Sequence, residues 1–414
     1  MIFDQFSSDC YMIFRGHLRF WWRSLALPVI ASLSLLVVLV GGNGLIRAQQ
    51  PPQPLTLEIS GDYWVSSAVQ SPLIRRTNWG YNKEPILSPK GKLVAYKSTA
   101  KLAVDASKGN NASAGGDWPA NIWVIDTTNG NSQQVAKQPR DAAYQKVGTP
   151  NKYVIRSDPT WSPDATALAW TELQVSGDKA PGDIGQQLVV FDMSHAADPN
   201  YAGAVIVPNL PARPGADAGL EVRWGAAGLA VWTITGGTDA NGNFTAQDAL
   251  SVYAPDGKLI TTKKIDTLSE FAWVHDGDRD YVGMLSKGSA DAPSKDLQWL
   301  LLDPRNGTLN GMPGVPEMYS LTAPDGLTVF PASMGTSPDW QIVGLQHPVV
   351  KLGNLDDVYA FSHVLGISAD GQQVAYVKQG AAYVYNNGST IKIAPSDTYA
   401  LVWGPTGWRV HRGQ

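Results

Sequence analysis

The stretch "DPTWSPDATALAW", residues 158–170, identifies the fold, because variants of it recur along the chain. It combines an acid-proline pair, a tryptophan, a Ser-Pro-Asp turn and an apolar run that ends in an aromatic residue. The stretch "EPILSPKGKLVAY" (84–96) repeats this order, and "HVLGISADGQQVAYV" (363–377) repeats the turn and the apolar run. The stretch is therefore one copy of a repeat. Looser copies lie at 220–232, 270–284 and 399–410.

A second phrase follows the first at a variable distance. In "NIWVIDTTNG" (121–130), an alternating strand precedes an aspartate and a glycine-containing turn, which is a hairpin signal. Related phrases lie at 187–195, 249–257, 297–307 and 381–388. Each unit therefore offers four short strands. The position equivalent to the tryptophan of the first phrase, which we call the repeat position, falls at Leu87, Trp161, Trp224, Trp273, Ile367 and Trp403.

Four-stranded units of about 40–50 residues predict an all-β fold, a β-propeller, because blades bury their faces only by stacking around an axis. The 41 glycines, 28 prolines, 15 tryptophans and 15 tyrosines agree with an all-β chain. The wide interval after Trp273 leaves room for a degenerate copy at 321–333. We expect six or seven blades, with seven favoured, and expect segments 56–69 and 399–414 to complete one blade from both termini.

These phrases resemble the TolB-type, or WD40-like, propeller repeat. The best match is Trp161-Ser162-Pro163-Asp164, and the segment Ile122-Trp123-Val124-Ile125-Asp126 matches the second phrase of that repeat. Partial matches lie at 88–91 and 368–371. The resemblance covers about residues 80–410 and implies a propeller fold. TolB also carries an N-terminal α/β domain, which the short stretch before the first repeat does not accommodate. The role and partners of TolB are therefore not carried over.

The N-terminal region predicts export. Residues 1–24 form a basic region with three arginines, and 25–48 form an apolar segment that suits a signal peptide or a signal-anchor helix. Residues 49–55 are a Pro/Gln-rich linker, and 56–414 are the propeller domain. Because the basic residues precede the apolar segment, the propeller is expected outside the cytoplasm, whether periplasmic, cell-surface or secreted. Cleavage before Gln49 and retention as a membrane anchor both stay open.

Charge and cysteine content narrow the possible partners. The formal net charge of −4 gives no reason to expect a nucleic-acid partner. The single cysteine, Cys10, precedes the apolar segment, so the predicted propeller has no disulfide framework and no cysteine-ligated zinc site.

Three insertions are the candidate recognition surface. The segments 98–121, 175–185 and 235–248 each fall between the predicted second and third strands of a unit, so we expect them on one face. The alternative is that they are solvated loops. Trp79 and Trp118 lie outside the predicted strands, and their rings are candidates for contact with a sugar or another ligand, with local packing as the alternative. The acidic candidates for partner binding are Asp117, Asp178 and Asp183.

Two polar clusters have oxygen ligands at alternate positions, as calcium requires. The first comprises Asp239, Asn241 and Asn243, and the second comprises residues 276, 278 and 280. Neither is followed by the glutamate of an EF-hand, and hairpin turns are the alternative interpretation. Ca²⁺ is the only cofactor that the sequence suggests.

Catalytic patterns are weak. Ser98 and Lys101 have the Ser-x-x-Lys spacing of acyl-transfer enzymes but lack the partner phrases, and no nucleophile elbow, zinc helix or phosphate loop occurs. Our main hypothesis is therefore a non-enzymatic propeller that binds a protein or a cell-envelope component as a scaffold. One alternative is a hydrolase or lyase that acts on glycans or peptides at a multi-blade site. Another is a membrane-anchored accessory or sensor subunit of a membrane complex.

Overall fold

The computed structural model describes most of the predicted propeller. The described residues are 55–67, 71–107, 118–177, 185–210, 221–238, 244–276, 279–289, 291–311, 321–322, 328–331, 339–344, 347–354, 364–367, 373–378, 381–386, 389–394 and 398–403. Residues Pro52–Gln414 belong to one compact unit. No helix within the described ranges is long and apolar enough to cross a membrane. The predicted signal or anchor segment, 25–48, lies outside those ranges.

The described part of the chain is almost entirely β-strand, with one short α-helix, α1 (Lys101–Ala106), and a 3-10 turn at Met193–His195. The strands are β1 Leu55–Ile59, β2 Asp62–Ser66, β3 Ile74–Arg75, β4 Asn82–Leu87, β5 Leu93–Thr99, β6 Ala120–Asp126, β7 Ser132–Ala136, β8 Lys152–Arg156, β9 Thr160–Trp161, β10 Ala167–Ser176, β11 Gln186–Asp192, β12 Ala204–Leu210, β13 Val222–Gly225, β14 Gly228–Thr238, β15 Phe244–Tyr253, β16 Leu259–Ile265, β17 Leu268–Asp276, β18 Arg279–Ser289, β19 Ala292–Leu302, β20 Leu309–Gly311, β21 Leu321–Thr322, β22 Thr328–Pro331, β23 Asp339–Gly344, β24 His347–Asn354, β25 Val364–Ile367, β26 Gln373–Lys378, β27 Ala381–Asn386, β28 Ser389–Ala394 and β29 Thr398–Trp403.

The described strands pair antiparallel in groups that follow the sequence repeat. Group 1 has the order β29-β1-β2-β3, group 2 is β4–β7, group 6 is β21–β24 and group 7 is β25–β28. Group 3 is β9–β12 with β8 as an additional partner of β10. Groups 4 (β13–β16) and 5 (β17–β20) share one sheet through the single pair Ile265↔Ser289. The candidate degenerate copy at 321–333 supplies β21 and β22, the first two strands of group 6.

Group 1 combines the first described strand of the chain with the last. Leu57 of β1 pairs with Leu401 of β29, while the other edge of β1 pairs with β2. Strand β29 also lies against β4 of group 2 and β25 of group 7.

The Ser-Pro phrase forms the turn between the first two strands of a group. The Oγ atom of Ser162 accepts hydrogen bonds from the backbone N–H groups of Thr166 (3.1 Å) and Ala167 (2.9 Å). The Oγ atom of Ser88 accepts one from the N–H of Leu93 at 3.1 Å. Both serines are buried, so these bonds provide acceptors for backbone donors inside the turn. The recurring serine therefore has a structural role.

One residue in this turn has a strained backbone. Ala165 has φ of 60°, and the equivalent Gly91 has φ of 71°. A non-glycine residue with a positive φ of this size destabilises the folded state by roughly 1–2 kcal/mol. Glycine avoids this strain, but its greater flexibility in the unfolded chain offsets about half of the gain. We expect Ala165→Gly to raise the free energy of unfolding by about 0.5–1 kcal/mol in chemical denaturation. The matched substitution Gly91→Ala should lower it by about 1 kcal/mol, and stabilisation by both would contradict this explanation.

Tryptophans fill the interfaces between neighbouring groups. Trp161 and Trp170 are buried in one cluster with residues of group 2, including Ile122 and Val124. The indole N–H of Trp161 donates to the carbonyl of Ile86 at 3.0 Å. The interface between groups 4 and 5 repeats this arrangement, because the indole of Trp273 donates to the carbonyl of Arg223 at 2.9 Å. In both cases the acceptor carbonyl belongs to the residue just before the repeat position of the preceding group. Ile86 precedes Leu87, and Arg223 precedes Trp224, so the two interfaces share one geometry.

The aspartate of the second phrase closes the turn after the third strand. Asp126 accepts a hydrogen bond from the backbone N–H of Thr128 at 2.7 Å, Asp192 accepts one from Ser194 at 2.8 Å, and Asp303 accepts one from Arg305 at 3.0 Å. Hydrogen bonds from Thr128, Ser194 and Arg305, respectively, lower the pKa of these carboxyl groups below the usual aspartate value.

These three lowered pKa values predict acid sensitivity. A carboxyl group whose pKa is lower in the folded state stabilises the fold above its unfolded pKa, about 3.9, and this contribution disappears as the pH falls through the folded pKa. We therefore expect the urea midpoint to fall below about pH 4. The variant Asp126→Asn/Asp192→Asn/Asp303→Asn keeps side-chain acceptors but cannot titrate, so its midpoint should fall less. An unchanged pH profile in this variant would contradict the assignment.

Candidate functional site

All three insertions lie where the sequence predicted, between the second and third strands of a group. The segment 98–121 connects β5 to β6, 175–185 connects β10 to β11, and 235–248 connects β14 to β15. The first two insertions start and end close to each other at their bases, the residues where each insertion leaves and rejoins its strands. Strand β8 pairs with the end of β10, where the second insertion begins. Ile155 of β8 also forms a bridge with Pro119, where the first insertion ends.

The third insertion is largely a hairpin, in contrast to the loop that we expected. Strands β14 and β15 continue into it and pair as far as Thr238 and Phe244. Cross-strand hydrogen bonds compensate for the low strand propensity of Gly236 and Gly237.

Several predicted residues lie outside the described ranges. These are the acidic candidates Asp117, Asp178 and Asp183 and the first calcium cluster, Asp239, Asn241 and Asn243. In the second cluster, Asp276 ends β17 and pairs with Arg279 at the start of β18, as the hairpin interpretation expects. In the described ranges, no group of three His, Cys, Asp or Glu residues is arranged to hold a metal ion.

The Ser-x-x-Lys pattern does not bring its two residues into a catalytic arrangement. Ser98 is buried in β5, where it pairs with Asn121 and Asn82 across the sheet. Lys101 begins α1, and its ammonium group forms an ion pair with Asp105 at 2.7 Å.

An aromatic pair is exposed beside the first insertion. Trp79 and Tyr81 are 38% and 40% exposed, and their ring centroids are 5.5 Å apart at an interplanar angle of 57°. The indole N–H of Trp79 donates to the carbonyl of Thr99 at 3.1 Å, and the N–H of Thr99 donates to the carbonyl of Tyr81. Helix α1 begins two residues after Thr99. We refer to residues 78–81 as the aromatic loop. Trp118, the second tryptophan candidate, is half-buried.

A buried carboxylate holds the aromatic loop in place. Asp62, with a side chain 6% exposed, forms an ion pair with Arg75 at 2.6 Å. Its other oxygen, Oδ1, accepts hydrogen bonds from Thr77 Oγ1 at 2.8 Å, Gly80 N at 3.2 Å and Asn82 Nδ2 at 3.3 Å. Because this one carboxylate bonds to residues on both sides of Trp79, it fixes the loop backbone.

Gly61 allows the aromatic loop to approach β2 closely. It has φ of 77°, and a Cβ atom at this position would lie 2.1 Å from the carbonyl oxygen of Gly80. Neither the Asp62 cluster nor Tyr81 was singled out from the sequence, because their partners lie up to 20 residues away and the repeat does not include them.

Two buried cations, Arg156 and Lys97, connect groups 2 and 3. Arg156 pairs with Glu172 at 3.2 Å and also donates to the carbonyls of Ala120 at 2.7 Å and Lys137 at 3.0 Å. Burial lowers the pKa of Arg156, while Glu172 acts in the opposite direction. Lys97 of β5 pairs with Asp158 at 2.9 Å, with both side chains at most 12% exposed.

The acidic residue of the acid-proline pair, Asp158, recurs in more groups than the two in which the sequence pattern identified it. An acidic residue stands three positions before the repeat position in four consecutive groups, at Glu84, Asp158, Glu221 and Glu270. Glu221 forms an ion pair with Arg223 at 2.9 Å. The structure describes the side chains of two of these four acids, Asp158 and Glu221, and both form ion pairs.

The described strands form antiparallel four-stranded groups in sequence order, and this topology defines the protein as a β-propeller. No family model and no curated protein matches the sequence. The chain is similar to the β-propeller domain of the trilobed protease from Pyrococcus furiosus, with 12% identity and a TM-score of 0.47 over 81% of this chain and 90% of that one. It is also similar to TolB from Acinetobacter baumannii, with 12% identity and a TM-score of 0.36 over 76% of this chain and 66% of that one.

An acylaminoacyl peptidase from Pyrococcus horikoshii is a further structural neighbour. Its identity is 13% and its TM-score is 0.48, over 76% of this chain and 46% of that one. The chain therefore spans about half the length of that enzyme.

Proposed function

We propose that this protein is an exported, non-enzymatic β-propeller that binds a protein or cell-envelope component through its insertion face. This face comprises the aromatic loop and the bases of the insertions 98–121 and 175–185. The seven four-stranded groups are its blades, and β29 closes group 1. The basic and apolar N-terminal sequence supports export, with the propeller outside the cytoplasm.

The observation that carries this proposal is the aromatic pair at the base of the longest insertion. Large aromatic side chains that are exposed yet fixed provide binding area at little entropic cost, which is why tryptophan and tyrosine dominate binding hot spots. Trp79 and Tyr81 meet this description, because their loop is bonded to a buried carboxylate. By contrast, Asp158 and Glu221, which lie just before the first strands of groups 3 and 4, are both in ion pairs.

The proposal is tested by purifying tagged full-length protein from its native membranes in mild detergent and identifying bound components by mass spectrometry. The test variant replaces residues 101–118 with Asn-Gly, a two-residue hairpin turn. It keeps the 2.8 Å hydrogen bond between Ala100 and Pro119. The control is Ile260→Ala, which removes an exposed apolar side chain on β16.

We expect a stoichiometric component that is recovered with the full-length protein and the control but lost from the test variant. Recovery of that component with all three proteins would contradict the proposed surface. Recovery of the full-length protein without any component would contradict the binding function.

The state of the N-terminus distinguishes a secreted form from an anchored one. We expect the intact mass of the native protein to correspond either to a chain that begins at Gln49, if the segment is a signal peptide, or to a chain that retains 25–48 as an anchor. The anchored form is the one that an accessory or sensor subunit of a membrane complex requires. Recovery of the full-length chain from the cytoplasm would contradict export in both forms.

A further inference from the structure

The aromatic loop presents ring faces. The indole N–H of Trp79 is already bonded to the carbonyl of Thr99, so the exposed 38% of this side chain offers mainly carbon surface. Tyr81 adds a second exposed ring at 5.5 Å. The interplanar angle of 57° means that the two rings can contact a ligand from two directions. A ligand at this site must therefore have an apolar face that stacks on an aromatic ring.

The same site is also polar and close to electrically neutral. Arg75, with a half-exposed side chain, is neutralised by Asp62, and Lys101 of α1 is neutralised by Asp105. Asn78 is exposed next to Trp79 in the sequence and can both donate and accept hydrogen bonds. Among the described residues, this corner thus combines two ring faces with hydrogen-bonding groups and balanced charges.

The area of the exposed rings also limits the ligand. A stable protein interface buries about 800 Å² on each partner around an apolar core, whereas the exposed aromatic surface here consists of parts of two side chains. A sugar ring matches this smaller area. One face of a pyranose carries C–H groups that stack on an aromatic ring, while its hydroxyl groups at the edge bind amide and guanidinium groups. The fixed loop also reduces the entropic cost of binding.

We propose that Trp79 and Tyr81 bind an uncharged polysaccharide chain by stacking on its sugar rings, with Asn78 and Arg75 as the hydrogen-bonding partners of its hydroxyl groups. This inference rests on the proposed function and names the chemical class of the cell-envelope component. The neutral charge balance of the site favours uncharged over acidic polysaccharides.

Affinity gel electrophoresis of the full-length protein in mild detergent tests this inference. The gels contain dextran, galactomannan, xyloglucan or the acidic polygalacturonate, and binding retards the protein. We expect at least one neutral polysaccharide to retard it, with a dissociation constant about tenfold higher for Trp79→Ala and for Tyr81→Ala, because each variant loses one stacking ring. Tyr81→Phe keeps the ring and should stay within about twofold of wild type. Ile260→Ala, on β16, should behave as wild type.

Three results would overturn the inference. These are retardation by no neutral polysaccharide, retardation by polygalacturonate alone, and retardation that is equal in wild type and both alanine variants. The membrane purification described above separates this failure from that of the proposed function. If a protein is recovered with the full-length chain but lost from the variant lacking 101–118, the proposed binding function holds. The proposal that the ligand is a polysaccharide is then contradicted.

Discussion

Replacing Arg156 with alanine is expected to lower the free energy of unfolding by about 3–5 kcal/mol. The guanidinium group is buried, and it bonds to Glu172 and to the carbonyls of Ala120 and Lys137. Its removal leaves the carboxylate of Glu172, whose side chain is 11% exposed, without its ion-pair partner. The cost arises mainly from this unpaired buried charge, since the intact pair itself contributes little net stability.

Lys152→Ala is the matched control for this prediction. Lys152 pairs with Asp141, but the two side chains are 48% and 68% exposed. Solvent screens such a pair, so its loss should cost much less than the loss of Arg156. Both variants are compared with wild type by urea denaturation at pH 7. Equal losses in Arg156→Ala and Lys152→Ala would contradict the assignment of this cost to the unpaired buried charge of Glu172.

Trp161→Ala is expected to cost about 3–5 kcal/mol, because it leaves a cavity between groups 2 and 3. Trp161 is 3% exposed, and its indole N–H donates to the carbonyl of Ile86. Trp161→Phe keeps most of the ring volume but loses the donor, so it should cost about 1–3 kcal/mol. The difference between the two variants separates packing from the hydrogen bond.

Trp79→Ala provides the contrast to Trp161→Ala in the same denaturation experiment. Because Trp79 is 38% exposed, its replacement should cost no more than about 1 kcal/mol. This result would assign Trp161 to the structure of the propeller and leave Trp79 available for binding. A cost for Trp79→Ala as large as that for Trp161→Ala would instead assign Trp79 to packing.

The repeat made the strand order predictable from the sequence. The Ser-Pro turn and the Asp-Gly turn are local, so each phrase contains the residues that determine its own conformation, as Ser162 and Asp126 show. The burial of Trp161 and Trp170 also followed from their positions in the repeat. The third insertion was harder to predict, because Gly236 and Gly237 suggest a loop although cross-strand pairing holds them in β14.

The candidate site was only partly predictable. Trp79 was found because it lies outside the predicted strands, but its environment depends on long-range contacts. The aromatic loop is fixed by Asp62, which lies 18 residues before Gly80, and by Thr99, 20 residues after Trp79. A single sequence does not reveal such pairs. The buried pair of Lys97 and Asp158 has the same origin, because it joins two different groups.

Hydroxyl-radical footprinting is the most direct test of the claim that the aromatic loop is a binding surface. Oxidation of each side chain is measured by mass spectrometry in intact cells and in the purified protein. We predict that Trp79 and Tyr81 are oxidised severalfold less in cells, while the similarly exposed Leu259 and Ile260 are oxidised equally in both samples. Equal oxidation of Trp79 and Tyr81 in both samples would show that nothing covers the loop in the cell and would contradict the proposed binding surface.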